Sequence, residues 1–220
     1  MSRIVLLGSP GNPTVGLFHE ALVDAGFVVS VVRNNKHESD KDMRIWEQRT
    51  GGRLPPVPLN GLQIIEVDRI SSPTGAEVLS TFDLAINGGC IEIIKPIALN
   101  APRLGILNIH PGILPKYRGC CAVEWSLHSG DPVGVTAHLM DASIDTGPIV
   151  AIKHVDVTLC RDYQDIRIAA FRASFGLAAE AARSLLEGRS VPKPQGEGTY
   201  WKPIDDERLA RVIAAAKRAS

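Results

Sequence analysis

The sequence predicts an α/β fold, a Rossmann-like, mostly parallel sheet flanked by helices. Short apolar runs alternate with helix-like stretches through the first half of the chain. The first run, residues 3–9, shows no alternation of polar and apolar side chains, which is typical of a strand buried on both faces of a parallel sheet. Four further strands are predicted in this half, at 27–34, 61–67, 82–88 and 104–110.

Two helices follow from apolar spacing and from the residues at their ends. The first is predicted over 14–25, where Gly26 provides a stop. The clearest helix is predicted over 162–187, because apolar residues recur there at spacings of three and four. Asp162 can cap its start and Gly188 can end it.

The second half of the chain changes character. Strands are predicted at 133–140 and 148–157, separated by a turn-sized loop, so an antiparallel pairing is plausible there. The charged loop 34–58 has two open interpretations, a solvated excursion or a lid over a site. We expect a catalytic domain at 1–190, followed at 191–220 by an extended segment and a short helix.

Composition narrows the class of protein. The 220 residues include 24 basic and 24 acidic side chains, so the formal net charge is zero. A nucleic acid is therefore not expected as the main partner, because neutralising phosphates needs a basic surplus. Four cysteines without a CxxC pattern indicate reduced thiols and a cytoplasmic protein. No apolar run reaches the ~20 residues of a membrane span and the N-terminus lacks a signal-peptide pattern, so no membrane partner is expected.

Polar side chains mark the end of the fifth predicted strand. Asn108 and His110 are two residues apart, so they share one face of the strand, and Pro111 then ends it. In open α/β sheets, ligands bind just beyond the carboxyl ends of the strands. A strand-end histidine is often structural, but an amide beside it on the same face favours a site.

A second candidate lies in the turn between the two later strands. Asp145 precedes Thr-Gly-Pro, and its ordinary role would be to hydrogen-bond its own backbone. The Asp-Thr-Gly sequence also occurs in aspartic proteases, but that chemistry needs a second such carboxylate, which this sequence lacks. A metal site built from His110, His128, His138 or a cysteine is disfavoured because their spacing matches no ligand pattern.

Two segments together resemble a known family. They are NIHPGILPKYRG, which starts at Asn108, and GVTAHLMDASIDTGPIV, which contains Asp145. Both are similar to the formyltransferases that use N10-formyltetrahydrofolate. That family includes glycinamide ribonucleotide formyltransferase, the catalytic domain of methionyl-tRNA formyltransferase and the sugar N-formyltransferases. The resemblance is close over about residues 80–155. It implies a Rossmann-like formyltransferase fold, an N-formyltransferase activity, N10-formyltetrahydrofolate as co-substrate, and no metal.

The resemblance implies roles for three side chains. Asn108 and His110 would donate to the oxyanion that forms when an amine attacks the formyl carbon. Asp145 would orient His110, favour its protonated form and accept a proton from the amine. The resemblance also implies a folate pocket that binds largely through backbone contacts. Its lining residues would be Ile91, Glu92, Ile94, Met140, Asp141 and Ile144. Residues expected to bind the acceptor are Lys116, Tyr117, Arg118 and Trp125.

The acceptor amine is less well defined by the sequence. The PKYRG segment followed by Glu124 resembles the sugar and tRNA branches more than the purine branch, and two prolines in loop 8–14 remove donors that a phosphate would need. We expect no tRNA-binding domain in a chain of this length and charge. The prediction is the amino group of a nucleotide-linked sugar. Alternatives are a glycinamide ribonucleotide-type or other small amine, or a folate-binding protein without catalysis. Whether two chains form a homodimer stays open.

Overall fold

The computed structural model describes residues 3–59 and 61–217. Its main sheet has seven strands in the order β3-β2-β1-β4-β5-β7-β8, and two short strands form a second sheet. The strands are β1 Ile4–Gly8, β2 Val29–Arg33, β3 Ile64–Glu66, β4 Leu84–Asn87, β5 Ile106–His110, β6 Arg118–Gly119, β7 Gly134–Leu139, β8 Ile149–His154 and β9 Tyr200–Trp201. The predicted α/β fold with a mostly parallel sheet is confirmed.

The sheet changes direction at β5. Strands β3, β2, β1, β4 and β5 run parallel, whereas β7 is antiparallel to β5 and β8 is antiparallel to β7. The register places Asn108 opposite His138 and His110 opposite Thr136. The carboxyl end of β5 therefore lies beside the amino-terminal half of β7, and β7 ends beside the amino end of β5, where the Met140 amide donates to the Ile106 carbonyl.

Helices cover both faces of the sheet. The longest, α6, spans Tyr163–Leu186 and packs with α1 over one face, in a core that includes Phe18 and Phe175. Asp162 accepts from the Asp165 amide and so caps α6 as predicted. The helices are α1 Thr14–Asp24, α2 Asp40–Thr50, α3 Pro73–Ser80, α4 Pro96–Leu99, α5 Ala122–His128, α6 Tyr163–Leu186 and α7 Asp206–Ala215. None of the described helices is long and apolar enough to cross a membrane.

The predicted loop 34–58 is anchored to the body of the protein. Helix α2 lies within it and begins at a capping box formed by Ser39 and Asp42. Trp46 from α2 is only 8% exposed and its ring lies 4.9 Å from that of Phe171 in α6. The helix is therefore part of the packed structure and not a solvated excursion.

The segment after α6 folds back across the molecule. Residues of β9 pair in parallel with β6, about eighty positions earlier in the chain. Helix α7 then packs against α5 through Val212, in a small apolar cluster that also contains Tyr163 and Ile204. Its contacts with the loop after β5 and with the turn after β7 bring this segment to the site described next.

Candidate active site

The three predicted catalytic side chains meet at the carboxyl end of β5. Asn108 and His110 occupy that strand, and Asp145 approaches from the turn between β7 and β8. The His110 Nδ1 atom lies 3.3 Å from Asp145 Oδ2. The backbone amide of Gly119 donates to the same carboxylate oxygen at 2.9 Å. The three side chains that the family resemblance groups together therefore lie side by side.

A chain of hydrogen bonds fixes the orientation of Asn108. The Cys90 backbone amide donates to Asn87 Oδ1 at 3.0 Å, so the Asn87 amino group is turned towards Asn108 Oδ1, 3.1 Å away. Asn108 Nδ2 consequently faces His138 Nε2 at 3.1 Å. His138 accepts there and holds its proton on Nδ1, which lies 3.0 Å from the Leu139 carbonyl. The second Nδ2 proton of Asn108 is not used in these hydrogen bonds.

His110 is enclosed by acceptors. The side chain is 4% exposed, and its Nε2 faces the Tyr117 carbonyl oxygen while Nδ1 faces Asp145. Burial lowers the pKa of His110 below its ordinary value, and Asp145 and the Tyr117 carbonyl only partly offset this. Asp145 thus favours the protonated ring, as expected, but burial opposes protonation and has the larger effect on the His110 pKa.

Asp145 is the charged member of the pair. Burial raises its pKa, but the His138 side chain, the nearby His110 and the Gly119 amide together hold the pKa below its ordinary value. Its Oδ1 atom lies 3.6 Å from His138 Nε2. Asp145 is therefore an ionised carboxylate at neutral pH, placed between two histidines.

A cavity of about 220 Å³ opens beside Asn108 and Asp145. Five of the six residues predicted to line a folate pocket border it, and Ile91 does not. The backbone amide of Ile91 instead donates to Ser9 Oγ. The lining residues are Asn87, Glu92, Ile93, Ile94, Asn108, His138, Met140, Asp141, Ala142, Ser143, Ile144 and Asp145.

The carboxylate of Glu92 is used by the protein itself. It accepts from the backbone amides of Ile70 and Ser71, both at 2.9 Å, and from Asn34 at 3.4 Å. Burial opposes ionisation of Glu92, but these hydrogen bonds outweigh it and lower the pKa. The side chain thus ties the loop after β3 to the wall of the cavity, which leaves backbone atoms to face a ligand.

A second, more open cavity adjoins the first. It has a volume of about 420 Å³ and shares Ser143 and Ile144 with the smaller cavity. Arg118 and the half-exposed ring of Tyr200 border it, and Arg118 donates to the neutral oxygens of Gln195 and Gly196. Within residues 3–59 and 61–217, Arg118 forms no ion pair with a carboxylate, so this cavity is bordered by a cation without a direct counter-charge.

The other three residues predicted to bind the acceptor lie away from both cavities. Lys116 forms an ion pair with Asp131 at 2.6 Å, and the buried Tyr117 hydroxyl donates to the same carboxylate. Trp125 packs on Trp201 with ring centroids 4.6 Å apart. These side chains have structural partners, and their role in binding an acceptor stays a prediction.

Several residues at the site have no signal in the sequence. The sequence offers His138 only as a metal ligand, whereas in the structure it lies between Asn108 and Asp145. Asn87 and Gln195 are not among the predicted site residues. Asn87 ends β4 and is paired with Asn108, so the strand order, had it been known, would have identified Asn87. Among the residues that the structure describes, no group of three or more metal-ligating side chains is placed to hold a metal ion.

Comparison with known proteins identifies the family. Residues 74–170 match the Formyl transferase family model. The chain is 33% identical over 201 residues to a methionyl-tRNA formyltransferase of Chloroflexus aurantiacus, covering 88% of this chain and 62% of that protein. It is 31% identical over 215 residues to that of Chloroflexus aggregans, covering 93% of this chain and 67% of the relative. The chain thus spans less than two thirds of the first relative's length.

Solved structures share the fold. Glycinamide ribonucleotide transformylase 1 from Symbiobacterium toebii has a TM-score of 0.64 and 26% identity, covering 89% of this chain and 93% of that one. The formyltransferase PseJ from Anoxybacillus kamchatkensis, in complex with a UDP-linked formamido sugar and tetrahydrofolate, has a TM-score of 0.61 and 20% identity, covering 98% and 100%. Motifs, fold and relatives agree, and this chain belongs to the formyltransferase family.

Proposed function

We propose that this protein transfers the formyl group of N10-formyltetrahydrofolate to a primary amine. The observation that carries the proposal is the meeting of Asn108, His110 and Asp145 at the edge of a cavity at the end of β5. The cavity has apolar walls from Ile94 and Met140 and polar atoms nearby, which suits a flat heterocycle such as the pterin ring of the folate.

Asn108 is the donor for the developing oxyanion. Its Oδ1 and one Nδ2 proton are held by Asn87 and His138, so the amide cannot rotate and its second Nδ2 proton has a fixed direction. A donor fixed before the reaction loses no free energy to reorganisation in the transition state. Removing one such donor costs about 3–4 kcal/mol in comparable enzymes.

Asp145 and His110 accept the proton that the attacking ammonium group loses. An attacking ammonium must lose a proton to become a nucleophile, and Asp145 is ionised and borders the cavity. His110 stands behind it with acceptors at both ring nitrogens, so a proton passed to the ring would be held between Asp145 and the Tyr117 carbonyl. We assign oxyanion stabilisation to Asn108 and proton storage to His110. When the tetrahedral intermediate collapses, the bond between the formyl carbon and N10 breaks, and the stored proton goes to N10, so that tetrahydrofolate leaves as a neutral amine.

The proposed acceptor is the amino group of a nucleotide-linked sugar. Arg118 at the adjoining cavity offers an uncompensated cation for a phosphate, and the exposed ring of Tyr200 offers a stacking surface. Methionyl-tRNA is a second candidate because the two Chloroflexus relatives are named methionyl-tRNA formyltransferases. The 26% identity to a glycinamide ribonucleotide transformylase supports the third candidate, a small purine precursor.

The test is release of tetrahydrofolate from N10-formyltetrahydrofolate by the purified protein. Acceptors would be GDP-, UDP- and dTDP-linked amino sugars, glycinamide ribonucleotide and methionyl-tRNA, with His110→Ala as the control. Turnover with one amino sugar that is lost in the variant supports the full proposal. Turnover only with methionyl-tRNA or glycinamide ribonucleotide keeps the chemistry and overturns the acceptor. Folate binding without turnover of any acceptor would contradict catalysis.

A further inference from the structure

A segment that follows α6 crosses the active site, and we call residues 193–202 the strap. At one end, Lys193 pairs with Ile149 at the start of β8 through two backbone hydrogen bonds of 2.8 Å. At the other end, β9 pairs with β6, whose Gly119 holds the Asp145 carboxylate. The strap therefore contacts both ends of the region around Asp145: the start of β8, after the Asp145 turn, and the Gly119 segment that binds its carboxylate.

The turn that the strap covers is strained. Asp145 has a φ of 55°, in the left-handed region that residues with a Cβ rarely adopt. Such a conformation costs on the order of 1–3 kcal/mol and persists only where surrounding contacts hold it. Close packing leaves little space nearby, since a Cβ on Gly147 would lie 1.8 Å from the Leu139 carbonyl oxygen.

Gln195 supplies contacts that hold this turn. Its Nε2 donates to the Asp145 carbonyl at 3.1 Å and to the Gly147 carbonyl at 2.6 Å. Its Oε1 accepts from Arg118 Nη2 at 2.9 Å and from Arg118 Nε at 3.2 Å. Because arginine can only donate, the amide has one orientation here and both of its ends are used.

We propose that Gln195 is a positioning residue for formyl transfer. Its amide holds the backbone of the Asp145 turn and so keeps the carboxylate beside His110, while the same amide links that turn to the Arg118 cation. The inference rests on the proposed function for the role of Asp145 in the reaction. The position of the carboxylate can be measured without any acceptor.

The acceptor-free test follows His110 by NMR in protein labelled with ¹³C at the histidine rings. Gln195→Met keeps the side-chain length and removes both ends of the amide. If the turn loosens, the carboxylate supports the His110 imidazolium less, and the measured pKa of His110 falls by about half a unit. The control is Glu197→Gln, an exposed position on the same strap. An unchanged His110 pKa in a folded Gln195→Met protein overturns the proposal.

A kinetic test distinguishes an effect of Gln195 through the Asp145 turn from an effect through Arg118. Gln195→Glu retains an acceptor for Arg118 but replaces the donor to the turn with a second carboxylate oxygen. We expect kcat to fall about tenfold in both Gln195 variants, with KM for N10-formyltetrahydrofolate within about twofold. A loss confined to Gln195→Met would mean that the residue acts through Arg118, against the proposal. If no acceptor is turned over by the wild type, the proposed function fails and the NMR result alone decides the position of the carboxylate.

Discussion

Asp145 and Glu124 are both carboxylates withdrawn from solvent, but their surroundings differ. The Asp145 side chain is 13% exposed and lies beside His110 and His138. The Glu124 side chain is 2% exposed and lies between Arg49 at 3.6 Å and Arg167 at 3.7 Å. Burial raises the pKa of each carboxyl, and in each case the neighbours reverse that shift and hold the pKa below its ordinary value.

The difference between them lies in whether the partner can release a proton. Arginine stays protonated in proteins, so the charges around Glu124 are permanent. Histidine changes its charge near neutral pH, so the Asp145 cluster can take up and return a proton. Glu124 thus joins α2, α5 and α6 as a structural cluster, whereas Asp145 borders the cavity in which the proposed reaction moves a proton. Two matched substitutions test this contrast.

The largest effect is expected from Asp145→Asn. Asparagine keeps an oxygen that can accept from Gly119 but removes the negative charge and the base, so kcat falls about 10³-fold, within the range for loss of a general base. Single-turnover formyl transfer with the acceptor found above measures it. The melting temperature should stay near that of the wild type. A variant that retained more than about a tenth of the activity would exclude Asp145 as the base.

Glu124→Gln should affect stability instead. Glutamine can still accept from the Tyr163 hydroxyl but leaves the buried Arg167 and the partly exposed Arg49 without a counter-charge, so the free energy of unfolding falls by about 3 kcal/mol. Urea unfolding gives the value, and kcat per folded molecule should be unchanged. Glu187→Gln, at an exposed pair with Arg189, is the control and should change stability by less than about 0.5 kcal/mol. Equal losses in both variants would contradict the contrast.

The smallest effect is a pH dependence that only the Asp145 cluster should show. The pKa of His110 is lowered in the folded protein, so the unfolded chain binds a proton first as the pH falls. The neutral His110 ring makes its full contribution to the free energy of unfolding above pH 6.5, the ordinary pKa of histidine. That contribution is lost as the pH falls through the pKa of His110 in the folded protein.

Unfolding free energies measured from about pH 7 to pH 5 should therefore decline more steeply in the wild type than in His110→Gln. Glu124→Gln should leave that slope unchanged, since the lowered pKa of Glu124 keeps it ionised over this range. The same slope in wild type and His110→Gln would show that another group titrates there.

Sequence patterns located most of the fold because each pattern has a local physical cause. The main-sheet strands fall inside the predicted runs, and Asp162 caps α6 as expected. Helices α3 and α5 were not predicted. Helix α3 has only eight residues, and α5 begins after Cys121, whose left-handed φ of 54° has no signature in the sequence.

The candidate site was predictable only as far as strand ends determine it. Asn108 and His110 follow from the rule that ligands bind at the carboxyl ends of strands, whereas the role of Asp145 follows from the resemblance to the formyltransferases. His138 depends on the register of β7 against β5, and Gln195 on a contact across fifty residues. No local sequence pattern predicts the register of β7 against β5 or the contact between Gln195 and Asp145. These positioning groups were therefore identified only from the structure.

The distance between Gln195 and Asp145 has a consequence for how the protein matures. The chain is made from its amino end, so the Asp145 turn and all of α6 exist before the strap does. The Gln195 contacts therefore cannot form until residues 193–202 have been made, although the groups that they position lie earlier in the chain. A chain that ends with α6 contains Asn108, His110 and Asp145 but lacks the Gln195 amide. We therefore expect catalytic competence to require the strap as well as the completed sheet.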